Sequence, residues 1–252
     1  MKILFLFLIT STAALAQELV PFNEPEGIKR FERSKFKVDF YTLANHFEAQ
    51  SNGLFCGPST ATIILNSLRL RKKGVVIPKD HSVLTNHEKK YLNPGIDPFF
   101  NRYTQRNIFQ AKGVKTFHEV MGKPDKNGKK DVGFQVRQFS EFLAGHGLKT
   151  TLRIVTDESK LDHIINELKN NLKTPHDFIA INYKRAELGQ KGGGHLSPVG
   201  AYDEESDSFL IMDVNPNRAR WVWVKSADLI KAMNTFDTNE NRGYILVEDN
   251  AD

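Results

Sequence analysis

A single cysteine occurs in the 252 residues, in the stretch Gln50-Ser51-Asn52-Gly53-Leu54-Phe55-Cys56-Gly57-Pro58-Ser59. Proline is favoured at the start of a helix, where its fixed φ suits the first turn and its missing N–H is not needed. Ile63, Ile64, Leu65, Leu68 and Leu70 then recur at helical spacing and predict an amphipathic helix over about residues 59–71. A thiol just before such a helix meets unpaired backbone N–H groups and the positive end of the helix dipole, and both favour the thiolate. The competing reading is a small buried hydrophobe. Acyl transfer by a thiolate needs three more parts: a base that takes and returns the proton, a carboxylate that orients the base, and an amide donor for the oxyanion. His195, Asp213 and Gln50 supply those residue types.

His195 follows Gly192-Gly193-Gly194, and these glycines allow a substrate backbone to approach closely. Residues 196–202 and 208–214 flank the turn Asp203-Glu204-Glu205-Ser206-Asp207 and predict a hairpin, with His195 starting one strand and Asp213 ending the other. On adjacent antiparallel strands such side chains reach hydrogen-bonding distance on one face. His46, His81, His87, His118, His146, His163 and His176 read as ordinary surface or core residues.

The elements that must position these groups are helical early and stranded late. Residues 17–37 are polar with Pro21, Pro25 and Gly27 and read as an arm over the surface; residues 38–41 read as a short strand. Residues 72–132 mix charge, Gly, Pro and scattered aromatics and predict short helices and long loops, with Lys123 to Lys130 a loop. Phe134, Val136, Phe139, Phe142 and Leu143 predict a helix ending near Gly145. A strand over 148–155 follows, then a helix capped by Asp157, then a buried strand over 178–183. Residues 221–224 read as another strand, Ser226 caps a helix through Met233, and residues 244–247 close the sheet. This order implies an α+β fold.

The length suits one sizeable core. Lys2, the apolar run 3–9 and Ala14-Leu15-Ala16 form a signal-peptide pattern over residues 1–16, so the mature chain is expected to begin at Gln17 and to be exported to the periplasm or medium. No later run approaches the length of a membrane span, so no stable membrane insertion is expected. One cysteine excludes an intrachain disulfide and a Cys-rich zinc site. Without Lys2 the chain has 34 basic residues against 30 acidic ones, a balance of +4. The basic residues are scattered, and the clusters at 69–73 and 123–130 sit among loop residues, which argues against a nucleic-acid partner.

These residues resemble the phytochelatin synthases, a branch of the papain-like cysteine peptidases. The family's Gln, five residues, then Cys-Gly and a helix ending Leu-Asn-x-Leu is met by Gln50, Cys56-Gly57 and Leu65-Asn66-Ser67-Leu68. Its Gly-His-x-Ser-Pro segment and following Tyr are met by Gly194-His195-Leu196-Ser197-Pro198 and Tyr202, its Asp-Val by Asp213-Val214, and its Arg-Gly-aromatic strand by Arg242-Gly243-Tyr244. The resemblance covers about residues 45–66 and 181–247. It implies a papain-like fold, with a helical half carrying Cys56, a sheet half carrying His195 and Asp213, and the site in the cleft between them. Three departures stand out. The stretch from Cys56 to Gly194 is long, so residues 72–132 are expected to hold an insertion. The link from Asp237 to Arg242 is two residues short, and Pro58 replaces a small or apolar residue. The Cys-rich C-terminal region of the plant enzymes has no counterpart in this sequence, so residues 17–252 are expected to form the catalytic domain of a single-domain bacterial type.

The resemblance implies that Cys56 attacks the Cys–Gly amide of glutathione, with His195 as base, Asp213 as its orienter, and Gln50 with the Cys56 N–H receiving the oxyanion. Water or a second glutathione then takes the γ-glutamylcysteinyl thioester, and hydrolysis is expected to dominate over phytochelatin synthesis. Arg185, Asp237 and Arg242 are candidates for the charged ends of the γ-glutamyl group, beside Gly194. No cofactor is required; cadmium or zinc enters as a stimulant or as a metal–glutathione thiolate substrate. A homodimer is an open expectation. The alternatives are a papain-like peptidase or amidase acting on other peptides, and a non-catalytic metal- or thiol-binding protein using Cys56 and His46.

Overall fold

The computed structural model describes residues 19–69, 71, 74–110, 115–217 and 220–249, so the expected signal peptide lies outside the described residues. Helices α1 (Pro25–Arg33), α2 (Phe40–Asn45), α3 (Cys56–Arg69), α4 (Phe117–Val120), α5 (Val136–Gly145), α6 (Leu161–Asn171) and α7 (Ser226–Met233) surround one sheet. Its strands are β1 (Val20–Pro21), β2 (Leu148–Ile154), β3 (Asp177–Lys184), β4 (Gly194–Asp203), β5 (Ser208–Ile211), β6 (Val222–Lys225) and β7 (Gly243–Asp249). They form a seven-stranded sheet in the order β1-β6-β5-β4-β3-β7-β2, and every pair is antiparallel. Helices plus an antiparallel sheet make the α+β class expected from the element order.

Phe178 to Ile181 of β3 are apolar without alternation because both faces of the sheet are covered. Phe178 and Ala180 pack with Ile63, Ile64 and Leu68 of α3 and Phe139 and Leu143 of α5. Their neighbours Ile179, Ile181 and Tyr183 point the other way, onto Leu168 of α6 and Leu229 and Met233 of α7, following the two-residue alternation of a strand. The chain therefore has two apolar layers that share one sheet.

Several elements differ from the sequence reading. The helix begins at Cys56 rather than near residue 59, which makes Pro58 its third residue. Proline is tolerated there because the first-turn N–H groups have no intrahelical acceptor. The stretch expected as a strand over 38–41 instead enters α2, and Leu43 there is fully buried. The expected surface arm holds α1 and the edge strand β1, pinned by Trp223 Nε1–H donating to Gly27 O at 3.0 Å. β7 lies inside the sheet, between β3 and β2, and does not close it. The Ser226 hydroxyl donates to Asp207 Oδ1 at 2.6 Å instead of capping α7. Residues 74–110 hold only three 3-10 turns (His81–Val83, Glu88–Tyr91 and Asn107–Gln110), as the mixed composition suggested.

The hairpin of β4 and β5 contains an irregularity that decides the site. Ala201 faces Leu210, yet Val199 faces Ile211, so Gly200 is an extra residue on β4. Beyond it the shifted register continues, with Met212 N–H donating to Pro198 O at 3.0 Å. Asp213 therefore stands opposite Ser197, on the same face as His195 two residues away. Without the bulge Asp213 would face Pro198 and point to the other side of the sheet. Gly200 suits the position because a Cβ there would lie 2.7 Å from Met212 Sδ and 3.0 Å from a ring carbon of Phe40.

Candidate active site

Cys56 is the first residue of α3, so the helix start delivers its thiol to the beginning of β4, where His195 is the second residue. Burial pushes the thiol up. A hydrogen bond and the charge of His195, with the backbone N–H groups of Leu196 and Gly57, outweigh that and hold Cys56 below the usual thiol range. Burial likewise opposes the imidazolium, but hydrogen bonds to Asp213 and Cys56 and their charges hold His195 above the usual imidazole range. The two shifts have one cause: each charged form is the other's counter-ion. His195 Nε2 lies 3.0 Å from Asp213 Oδ1, which leaves Nδ1 as the ring nitrogen for the sulfur.

Asp213 is buried and its carboxyl is held down at about 2, because His195, Arg185 and the Asn215 N–H together overcome the penalty of burial. Arg185 Nη2 sits 2.7 Å from Oδ1 and 2.6 Å from Oδ2, the Tyr183 hydroxyl donates to Oδ2 at 3.1 Å, and the Asn215 N–H donates to Oδ1 at 2.8 Å. This corrects the expectation for Arg185 as a substrate contact. Its guanidinium is buried behind the imidazole, with Nη1 donating to Gln190 Oε1 at 3.0 Å, and it does not line the cavity at Cys56.

Gln50 is buried next to this group, anchored by its N–H donating to Val214 O at 2.8 Å. Its Nε2 donates one proton to Asn52 O at 2.6 Å and Oε1 has no partner, so the second amide proton is free for an oxyanion.

A cavity of about 380 Å³ opens at Cys56, within the range of small-molecule sites. Gly194, His195, Phe134 and Asp237 line it. Arg242 Nη2 pairs with Asp237 Oδ1 at 3.0 Å, while Nη1 donates to Phe236 O at 2.7 Å and Nε has no partner. Gly194 makes room for this guanidinium, since a Cβ there would lie 3.0 Å from Nη2. The two halves of the γ-glutamyl candidate pair are thus together, but only Asp237 and Gly194 line the cavity; Arg242 is buried against them and does not. The segment that carries them is tied across to the α5 side. Arg137 forms a two-point ion pair with Glu240, at 2.7 Å for both contacts. Asn239 donates to Gln135 and accepts from Lys129.

Sequence reasoning missed Asn182. It lines the same cavity, is buried, and its Oδ1 has no hydrogen-bond partner. The signal was present: an amide inside the apolar run of β3. His146, read as an ordinary residue, is edge-on to Tyr103 and Phe142, and burial lowers it to about 4. His46 contacts Asn45. Among the described residues no three His, Cys, Asp or Glu side chains gather as a metal site, so the metal-binding alternative has no ligand set there. No helix among them is long and apolar enough to cross a membrane.

A thiol at a helix start, an imidazole and a buried carboxylate in line form the constellation of nucleophilic-cysteine acyl transfer. The sequence model of the phytochelatin synthase family matches residues 10–244, and the chain belongs to that family. It is 25% identical over 236 residues to glutathione gamma-glutamylcysteinyltransferase 3 of Lotus japonicus, covering 90% of this chain and 42% of that protein. It is 26% identical over 212 residues to the glutathione gamma-glutamylcysteinyltransferase of Schizosaccharomyces pombe, covering 83% and 43%. With glutathione gamma-glutamylcysteinyltransferase 2 of Arabidopsis thaliana it shares 26% identity over 243 residues, 93% of this chain and 46% of the relative. The chain therefore spans less than half the length of these relatives.

Proposed function

We propose that this protein is a thiol acyl-transfer enzyme that cleaves the Cys–Gly amide of glutathione. The observation that carries the reading is the in-line Cys56, His195 and Asp213 at a cavity whose wall holds Asp237, the ion-pair partner of Arg242. The Cys56 thiolate adds to the cysteinyl carbonyl, and the oxyanion takes the Cys56 N–H and the free Gln50 Nε2 proton. His195 then gives its proton to the glycine nitrogen as the C–N bond breaks, leaving a γ-glutamylcysteinyl thioester on Cys56. Water, deprotonated by His195, releases γ-glutamylcysteine; the α-amine of a second glutathione in its place gives a phytochelatin. Arg242 and Asp237 meet the α-carboxylate and α-amine of the glutamyl end, and Asn182 Oδ1 accepts an N–H of the donor. Hydrolysis is the dominant fate in this reading.

The helical side with Cys56 and the sheet with His195 and Asp213 support a papain-like arrangement over residues 17–252, with 72–132 as an insertion and 1–16 as an export signal. No cofactor takes part in the steps above, and cadmium or zinc enters as the thiolate complex of the substrate. Mass spectrometry of products from glutathione, with and without cadmium, tests the reading. Glycine with γ-glutamylcysteine or phytochelatins supports it. Cleavage of ordinary α-linked peptides with glutathione untouched would favour a general peptidase.

A further inference from the structure

We propose that Arg185 is a positioning residue that sets where on the pH scale the Cys56–His195 pair works, by clamping the buried Asp213 carboxylate behind the imidazole and cancelling part of its charge. The inference rests on the acyl-transfer reading above and extends it to a residue that touches no substrate.

The geometry is specific. One guanidinium nitrogen bridges both oxygens of Asp213, and the other holds Gln190 at the far end of the loop that begins at Arg185. That loop is closed on the glycine turn by the Arg185 N–H donating to Gly193 O at 3.0 Å, one residue before the strand that carries His195. Arg185 therefore fixes both the carboxylate and the approach to the histidine. Its side chain and that of Asp213 are almost wholly buried, at 3% and 0% exposure, so water screens this charge little.

A bare carboxylate against the ring would stabilise the imidazolium further, and the nearby positive charge opposes protonation of thiol and imidazole alike. Removing the guanidinium while leaving the carboxylate must therefore move both protonation steps the same way, to higher pH. The other charged or titratable groups in the surrounding elements are the Tyr183 phenol, the Lys184–Glu187 ion pair, Lys191 in the same loop, Asp228 and Lys231 on α7, and the Asp237–Arg242 pair beside Gly194. All of them remain when Arg185 is changed.

The test is the rate of Cys56 alkylation by iodoacetamide as a function of pH, alongside kcat and KM for glutathione, in the wild type, Arg185→Gln and Arg185→Lys. Alkylation reads the thiol and its base without involving the donor pocket. In the wild type the reactive ion pair is expected to give two limbs. A wild-type profile with only the single limb of an ordinary thiol overturns the acyl-transfer reading itself. In Arg185→Gln both limbs should move to higher pH, with kcat/KM at the wild-type optimum down about tenfold to a hundredfold through kcat, as for a misplaced supporting group. Arg185→Lys keeps the charge and loses the bridge, so its limbs should stay in place while kcat falls. Limbs unmoved in a folded Arg185→Gln, or a rise in KM alone, overturn the proposal. If Arg185→Gln does not fold, Arg185→Lys still decides: displaced limbs or an unchanged kcat overturn it.

Discussion

Cys56 and His195 are tied by mutual charge, so loss of either should remove the other's purpose. Cys56→Ser is expected to release no glycine from glutathione, because an alkoxide is far harder to form near neutral pH than a thiolate. Cys56→Ala should keep the fold, which circular dichroism would show. For Asp213→Asn a second effect follows from Arg185. The amide leaves that guanidinium buried without its counter-ion, so the variant should lose about 3–5 kcal/mol in urea unfolding as well as activity. Arg242→Lys keeps the charge and loses the planar fork, so kcat/KM for glutathione should fall by an amount worth roughly 1–3 kcal/mol. At this scale the sequence was informative where residue type and spacing carry the chemistry: Cys56, His195 and Asp213 do come together, and the Gln50 backbone is tied beside them through Val214 O. Spacing says nothing of where a long side chain points. Arg185 was read as a substrate contact for that reason, although its guanidinium turns inward to Asp213.

At the scale of elements, the register of one hairpin decides whether the carboxylate meets the imidazole. Inserting one residue between Ile211 and Met212 would move Asp213 opposite Leu196 and should turn it to the other face, giving a protein that keeps its strand content but loses the displaced alkylation profile of Cys56, whereas deleting Gly200 leaves Val199 facing Ile211 and should keep it. A bulge of one residue leaves no periodic trace, so it was not legible; the periodic helices and the buried strand β3 were. The start of α2 was misread because four residues are too few for a period to show. Asp39 there is nearly wholly buried, accepting from the His176 N–H at 2.7 Å with Oδ2 unpartnered, and burial raises its carboxyl to about 7. A carboxyl raised in the folded state binds protons that the unfolded chain has already lost, so stability falls as pH rises from about 4 to 7 and is flat above. Asp39→Asn should therefore raise stability at pH 8 and change it little below pH 4, which urea titrations at the two pH values would read.

For the whole molecule, two apolar layers on one shared sheet predict a single cooperative unfolding transition, while the 74–102 segment stands apart from both layers. Val76, Tyr91 and Phe100 there are 89%, 74% and 82% exposed, and side chains such as Asn66 and Asn107 secure its ends. Brief trypsin treatment should cut first at Lys89 or Lys90 and leave Cys56 alkylation unchanged; early cuts within β3 or β4 would contradict this layout. The segment's lack of regular elements was legible from its composition. The ties from Gln135, Arg137 and Lys129 to Asn239 and Glu240 join residues far apart along the chain, which no local pattern could reveal. They also make one rim of the cleft a strap fastened partly by an exposed ion pair, and such a fastening loosens in salt. The grip on the glutamyl end should accordingly weaken as ionic strength rises, visible as a climbing KM for glutathione, while the chemistry that rests on the buried His195 and Asp213 proceeds at its usual pace.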